Sequence, residues 1–436
     1  MKAIGKDRSE AIFEDFKSAY SENQARVEAS RCLYCSDAPC VEACPTSIQI
    51  PEFIRKISTG NLKGSARTIF ESNILGMSCA RVCPVEVLCV GACVHNEQGV
   101  PPVQIGKLQR FATDQAFDAG WRFFEAGADS GKSVALVGAG PASLAAAHEL
   151  RRFGHACVIY EKREVIGGLS TTGVAPYKMR ADRAFEEAQW VLSIGGIEVR
   201  TGVSVGTSLD WQELEAKHDA IFLGMGLGSD TELGVEGESL DGVEGAVAYI
   251  ERLKLGTVSI ARMRHALVVG GGNTAVDAVR ELLGLGVPHV SLVYRGSQSG
   301  MPGYAHEWSE ALREGASSAW HTTPVGFEGQ SGKVVAARCI RTDESKRPIA
   351  GSEHRLEADL VLMAIGQSKL GELVAGLEGI RVEKGCVQVD ADGFTGRTRY
   401  WAGGDCVNGG KEVVNAVADG KLAARAIHTF LSEARA

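Results

Sequence analysis

Two spacings of apolar residues divide the chain. Before residue 131 they recur at helical intervals, and beyond it they come in short unbroken runs bounded by glycine. Ile12, Phe13, Phe16, Ala19 and Tyr20, with Glu and Lys between them, predict an amphipathic helix over 8–31. Pro51 suits the first turn of a helix that carries Phe53, Ile54 and Ile57 and stops at Gly60-Asn61, and 62–72 predicts another. The first part of the chain is thus expected to be α-helical.

Past residue 131 the run 132–137 predicts a buried strand, then a glycine-rich turn, a helix through Leu150 and a strand over 156–160 that ends at Glu161. The order recurs, with a strand over 265–269, a second glycine turn, a helix to Leu283 and a strand over 290–294 ending at Arg295. Further strands are expected at 360–363 and near Tyr400, before a helix from about Val413 to Leu431. Such alternation builds parallel sheets covered by helices, here two Rossmann-like α/β units.

The two turns carry chemistry. In the first, Gly138 permits the tight bend, Gly140 lets the backbone approach a pyrophosphate, and the helix that follows points its N-terminus at the phosphate charge. Glu161 stands 23 residues beyond Gly138, placed to bind ribose hydroxyls. Ser143 replaces the usual third glycine and is small enough for close helix–strand packing. The second turn, Gly270-Gly271-Gly272-Asn273-Thr274-Ala275, reads as G-x-G-x-x-A, so two dinucleotides are expected. Asp405, just after a buried strand, suits a ribityl or pyrophosphate group, although taken alone the turn-forming reading is favoured.

Bulk properties narrow the class. A length of 436 residues suggests two to three domains, and 44% hydrophobic with 23% charged residues is ordinary globular composition. A net charge of -8 argues against a nucleic-acid surface, and no apolar run approaches the ~18 residues of a spanning helix. The first residues, Met1-Lys2-Ala3-Ile4-Gly5-Lys6-Asp7, contain no apolar signal region, so a cytoplasmic protein without disulfides is expected.

Eight of the twelve cysteines lie between Cys32 and Cys93. Cys32, Cys35, Cys40 and Cys44-Pro45 form C-x2-C-x4-C-x3-C-P, and Cys79, Cys83-Pro84, Cys89 and Cys93 follow. Zinc ribbons want two C-x2-C pairs, whereas tight runs closed by proline suit 4Fe-4S clusters whose fourth ligand comes from the other run. Two clusters with interleaved ligands are expected, and spacing alone would take all eight thiols.

These motifs, with Gly167-Gly168-Leu169, Met301-Pro302, Ala402-Gly403-Gly404-Asp405-Cys406 and Asp419-Gly420-Lys421, resemble a known module along nearly the whole chain. It is the FAD, NAD(P)H and two-cluster module of the glutamate synthase small subunit, dihydropyrimidine dehydrogenase and NADH-dependent ferredoxin:NADP reductase. The resemblance implies an iron–sulfur domain over 1–130, an FAD domain over 131–229 plus 365–436, and an NAD(P)H domain over 230–364 inserted in it. It implies FAD contacts from Gly138, Gly140, Pro141, Ala142, Glu161, Gly168, Leu169, Gly404, Asp405, Val413 and Val414. For NAD(P)H it implies Gly270, Gly272, Asn273, Thr274, Arg295 and Gly366. Ile105-Gly106-Lys107-Leu108-Gln109-Arg110-Phe111 is similar to the dihydropyrimidine dehydrogenase version, in which this glutamine ligates a cluster. One cluster would then take Cys32, Cys35, Cys40 and Cys93, the other Cys44, Cys83, Cys89 and Gln109, with Cys79 left out.

The resemblance implies hydride transfer from NAD(P)H to FAD and single electrons through the clusters to a partner, with no catalytic side chain. Dihydropyrimidine dehydrogenase is the expected assembly; a glutamate synthase or a ferredoxin-coupled oxidoreductase is the alternative. A hetero-oligomer is expected, with no nucleic acid and no membrane. Cys157 and Cys339 read as buried small hydrophobes, and Cys406 has no C-x2-C or C-x4-C partner. Relatives that use NADPH carry paired basic residues after the second strand of the nucleotide unit. Here only Arg295 stands in 295–300, with no acid at Gly296, so a moderate preference for NADH is expected, which Gly296→Arg would shift toward NADPH.

Overall fold

In the computed structural model, which describes residues 2–14 and 16–433, the architecture changes where the apolar spacing does. The helical domain is built from helices Glu22–Ser30, Ile50–Ser58, Leu62–Ser72, Gly76–Val82 and Ile105–Asp118. Ile48, Phe53, Ile54, Ile57, Ile69 and Leu108 form its core, and Cys44, Cys79 and Cys83 are buried within the same cluster. Gly60 closes one helix and Asn61 opens the next, its Oδ1 accepting from Gly64 N at 2.9 Å.

The helix expected over 8–31 is not continuous. A 3-10 turn covers Ser9–Ile12, and the helix starts only at Glu22. Its start is a capping box: Ser21 Oγ accepts from Gln24 N at 3.3 Å, and Gln24 Oε1 accepts from Ser21 N at 2.9 Å. The apolar residues ahead of it serve separate partners rather than one helix face. Phe13 is buried in the core of the second nucleotide unit, where a Cβ on Gly284 would stand 2.5 Å from its ring. Phe16 meets Tyr177 edge-on at 5.8 Å.

The chain then lays down β1 (Ser133–Val137), β2 (Ala156–Glu161), β3 (Ile197–Thr201) and β4 (Ala220–Leu223). It continues with β5 (Val243–Gly245), β6 (His265–Val269), β7 (His289–Tyr294), β8 (Ser317–Trp320), β9 (Thr322–Gln330), β10 (Lys333–Arg341), β11 (His354–Glu357) and β12 (Leu360–Met363). A two-residue pair, β13 (Val382–Glu383) and β14 (Cys386–Val387), precedes β15 (Tyr400–Ala402). The first parallel sheet has the order β15-β4-β1-β2-β3 and the second β5-β12-β6-β7-β8. β15 pairs with β4, Tyr400 opposite Ile221, so the second unit is an insertion within the first. β9, β10 and β11 form an antiparallel sheet absent from the sequence reading. It buries Phe327, Val334, Ala337 and Cys339 against Leu267, Val269, Val293 and Met363 of the second sheet.

The helical domain is keyed to the first unit by Glu187, on helix Ala181–Leu192. Its carboxylate accepts from Met77 N at 2.8 Å, Ser78 N at 3.0 Å and Ser78 Oγ, capping helix Gly76–Val82 across the boundary. No described helix is long and apolar enough to cross a membrane.

Candidate functional site

One cleft of about 850 Å³ lies where the three parts meet. Gly138, Gly140, Pro141, Ala142, Glu161, Gly168, Leu169, Gly404, Asp405 and Val413 line it from the first unit, Asn273 and Thr274 from the second, and Gly366 from the crossing between them just after β12. Val82 and Pro84, which flank Cys83, line it from the helical domain.

On the first side, β1 runs into Gly138 at φ +92°, where a Cβ would stand 2.7 Å from Gly224 O. A Cβ on Gly140 would meet nothing within 4 Å, so the backbone there is open to an approaching group. Helix Pro141–Arg152 starts at this point and turns its free N–H groups to the cleft. Glu161 Oε2 accepts from Ala139 N at 2.7 Å and Oε1 from Arg163 N at 2.8 Å, so its carboxylate is positioned by the loop it serves. Burial raises the Asp405 carboxyl against the opposing hydrogen bond from Lys411 N at 3.2 Å. Helix Val413–Glu433 closes this side, with Gly420 against Ala142 O. Val414 turns away into the core of the helical domain, so its side chain is not in the cleft.

On the second side, Gly270 fits under Ala364 O, and a Cβ on Gly272 would meet nothing within 4 Å. Helix Asn273–Gly284 follows. Gly270, Gly272 and Arg295 lie outside the cleft lining. Arg295 is exposed at the end of β7.

Between the two sides runs a charged seam that sequence reading missed. Lys178 Nζ bridges Asp277 Oδ1 at 2.8 Å and Glu307 Oε1 at 2.7 Å. Burial works against its ammonium, but the two carboxylates outweigh it and hold Lys178 above the ordinary lysine range. Tyr304 OH donates to Glu412 Oε1 at 2.9 Å, and Tyr304 N donates to Asn273 Oδ1 at 2.9 Å. The one local signal was Met301-Pro302, just ahead of Tyr304.

The thiols fall into two neighbourhoods. Cys32, Cys35, Cys40 and Cys93 line a cavity of about 30 Å³ with Ile50, Ile54 and Val103. Burial, with repulsion from Cys32 and Cys93, pushes the Cys40 thiol up to about 12. Cys89 is raised by burial and by Cys83, Cys44 and Cys40. Cys83 is raised chiefly by its hydrogen bond with Cys79, so Cys79 also belongs to this second group. Gln109 is buried, and its Nε2 donates to Gly76 O at 2.7 Å, which leaves the amide oxygen as its available donor atom. Crowded thiols with little neighbouring positive charge are a donor set that fits iron, because metal binding releases their protons. Cys157, Cys339 and Cys406 are buried, and Cys406 Sγ points at Leu223 O.

The family described as dihydropyrimidine dehydrogenase domain II, 4Fe-4S cluster, matches residues 8–121, and the family described as pyridine nucleotide-disulphide oxidoreductase matches residues 132–420. The glutamate synthase (NADPH) small chain of Escherichia coli K12 is 32% identical, over 96% of this chain and 94% of its own. The NAD-dependent dihydropyrimidine dehydrogenase subunit PreT of the same organism is 34% identical, over 97% of this chain and 98% of its own. Among solved structures, Mycobacterium tuberculosis FprA in complex with NADPH superposes with a TM-score of 0.58 at 19% identity, covering 70% of this chain and 85% of that one. Lactococcus lactis thioredoxin reductase gives 0.55 at 21% identity, covering 69% and 99%. These two share the fold of the nucleotide units.

Proposed function

Because the chain belongs to the pyridine nucleotide-disulphide oxidoreductase family and carries a dihydropyrimidine dehydrogenase-type 4Fe-4S domain, we propose that it is the electron-input subunit of a pyrimidine-reducing dihydropyrimidine dehydrogenase. The chain is an NAD(P)H-dependent FAD and iron–sulfur oxidoreductase. One observation carries the proposal: the cleft lined by the first glycine loop, and by Asn273 and Thr274 where the second leads into its helix, is also lined by Val82 and Pro84, the neighbours of Cys83. A nucleotide bound there would have a cluster thiolate one residue behind its wall.

Bound FAD would supply the exchange between two-electron hydride transfer and one-electron transfer. The protein's own part is positioning. Glu161 would hold ribose hydroxyls, Gly140 and the helix behind it the pyrophosphate, and Asp405 with Gly404 the ribityl end. Gly272, Asn273 and Thr274 would bring NAD(P)H in from the opposite side, with the seam at Lys178 fixing the two sides together. The domain limits then run 1–130, 131–229 plus 365–436, and 230–364. We assign Cys32, Cys35, Cys40 and Cys93 to the outer cluster and Cys44, Cys83, Cys89 and Gln109 to the one beside the cleft. The reducing conditions these thiols need fit the cytoplasm.

The test is anaerobic titration of purified protein with NADH or NADPH. The expected result is bleaching of flavin absorbance and of broad absorbance near ~400 nm, with ~8 iron atoms per chain. Gln109→Ala should lose or alter one cluster while FAD stays bound, and Cys79→Ala should keep its iron; the reverse outcome would restore the all-cysteine set. Identification of the subunit that copurifies decides the assembly. A flavin-containing pyrimidine-reducing partner supports the proposal, and an amidotransferase partner would replace it with glutamate synthesis, which the 32% identical small chain favours.

A further inference from the structure

Counting basic residues along β7 and its exit finds one cation, Arg295, but the fold brings a second to the same place. In a βαβ nucleotide unit the end of the second strand faces the adenosine ribose, and a carboxylate there selects the free 2′-hydroxyl while cations accept a 2′-phosphate. The exit of β7, Arg295-Gly296-Ser297-Gln298-Ser299-Gly300, has no carboxylate. Across it lies the turn between β10 and β11. Thr342 Oγ1 donates to Arg295 O at 2.7 Å, which fastens that turn to the exit of β7. Lys346, at φ +63° in the turn, donates from its backbone N–H to Asp343 O at 2.8 Å.

The Lys346 side chain reaches back over the exit. Its Nζ donates to Tyr294 OH at 3.1 Å, Tyr294 OH donates onward to Gly300 O at 3.1 Å, and a Cβ on Gly296 would stand 3.1 Å from Lys346 Cε. Two of the turn's carboxylates, those beside Lys346 in sequence, are directed elsewhere. Asp343 accepts from Arg347 N at 2.9 Å, and Glu344 faces His321 Nε2 at 3.7 Å. Among the described residues, neither Lys346 nor Arg295 has an ion-pair partner. The hydroxyls of Ser297 and Ser299, 3.1 Å apart, add neutral donors at the exposed rim. Two cations and two hydroxyls around a strand end without a carboxylate suit a phosphate monoester.

We infer that Lys346 and Arg295 together bind the 2′-phosphate of NADPH, so that this chain accepts both reduced nicotinamide dinucleotides. The inference rests on the second unit's being the NAD(P)H site and goes beyond it by naming the residue that sets the choice of donor. It also replaces the expectation that an added arginine at Gly296 is what NADPH would need. A side chain there would meet the Tyr294 ring, 2.8 Å from its Cβ, and displace Lys346.

The probes are adenosine 2′,5′-bisphosphate and adenosine 5′-monophosphate, titrated calorimetrically into the full FAD-loaded protein at low salt. The wild type should bind the bisphosphate more tightly. Lys346→Met should reduce the ratio of the two affinities by roughly ten- to hundredfold, Lys346→Arg should restore most of it, and the ratio of kcat/KM for NADPH to that for NADH should fall in parallel. An unchanged ratio in Lys346→Met, or equal weakening of both probes, would overturn the assignment of Lys346 alone. If neither probe binds the wild type, the nucleotide site itself is wrong and Lys346 falls with it.

Discussion

The two nucleotide units share a topology and differ in how they are closed. Each has a five-stranded parallel sheet and a glycine turn leading into a helix. The first is sealed. Glu161 is hydrogen-bonded into its own loop, Gly420 lets helix Val413–Glu433 press against Ala142, and Glu187 is buried in the caps of the helical domain. The second presents Arg295 and the rim at Ser297 and Ser299 to solvent. A resident group needs a closed lodging, and a substrate that leaves at every turnover needs an open one. On this reading we propose FAD for the first unit, because the fold returns to cover it, and the nicotinamide donor for the second, whose strand end at Arg295 stays exposed.

The largest effect should come from unsealing the first unit. A Cβ on Gly420 would stand 2.1 Å from Ala142 O, a backbone atom that cannot yield as a side chain could. Gly420→Val should therefore cost about 3 kcal/mol or more and release FAD, measured by flavin content and thermal unfolding. Retention of FAD at an unchanged Tm would show that the returning helix does not close the site. Next comes the seam between units. Lys178→Met leaves Asp277 and Glu307 facing each other without their cation, at a cost of about 3 kcal/mol. The second unit should loosen first, seen as faster proteolysis between residues 230 and 364 with the first unit still holding flavin.

Glu187 offers a pH-dependent version of the same comparison. Burial raises its carboxyl to about 7, although three hydrogen bonds from residues 77 and 78 act the other way. A carboxyl raised on folding favours the folded state below its unfolded value near 4.5, and that contribution is lost as pH rises through about 7. Stability should thus increase by roughly 2–3 kcal/mol as pH falls from 7.5 to 5, and Glu187→Gln should flatten the increase. A Tm–pH slope identical in wild type and variant would remove Glu187 as its source.

How much of this was legible depended on sequence distance. The glycine turns, Glu161, Asp405 and the cysteine runs are local signals, because a tight bend, a helix start or a set of ligands is specified within a few residues; β6 and β12 begin and end where their apolar runs do. The region 8–31 was misread because Phe13 and Phe16 have helical spacing but different partners, and only the capping residue Ser21 marked the true start. Lys178, Glu187 and Lys346 were not legible. Their partners lie 99 and 129, 109 and 110, and 52 residues away, and no local pattern encodes such meetings. Val414 shows the remaining limit: the resemblance named it, and the helix turns its side chain inward.

The smallest perturbation makes the sharpest comparison, because Gly140 and Gly272 occupy equivalent places. Each is the residue before its helix, with φ -80° and ψ 180° at Gly140 and φ -86° and ψ 179° at Gly272, and a Cβ on either would meet no protein atom within 4 Å. Alanine is compatible with both backbones and by itself should change stability by no more than about +0.5 kcal/mol, through the unfolded state. Whatever else follows must come from the group that the methyl meets. If the first unit holds a resident nucleotide, Gly140→Ala should purify with less FAD and unfold at a lower Tm, since a ligand bound only to the folded state adds to its stability. If the second receives an exchanging one, Gly272→Ala should keep FAD and Tm and raise KM for NADH by roughly tenfold, the loss of about 1.4 kcal/mol of ground-state binding. Equal loss of FAD in both variants would break the comparison, because the two sides of the cleft would then serve one resident group rather than a cofactor and a substrate.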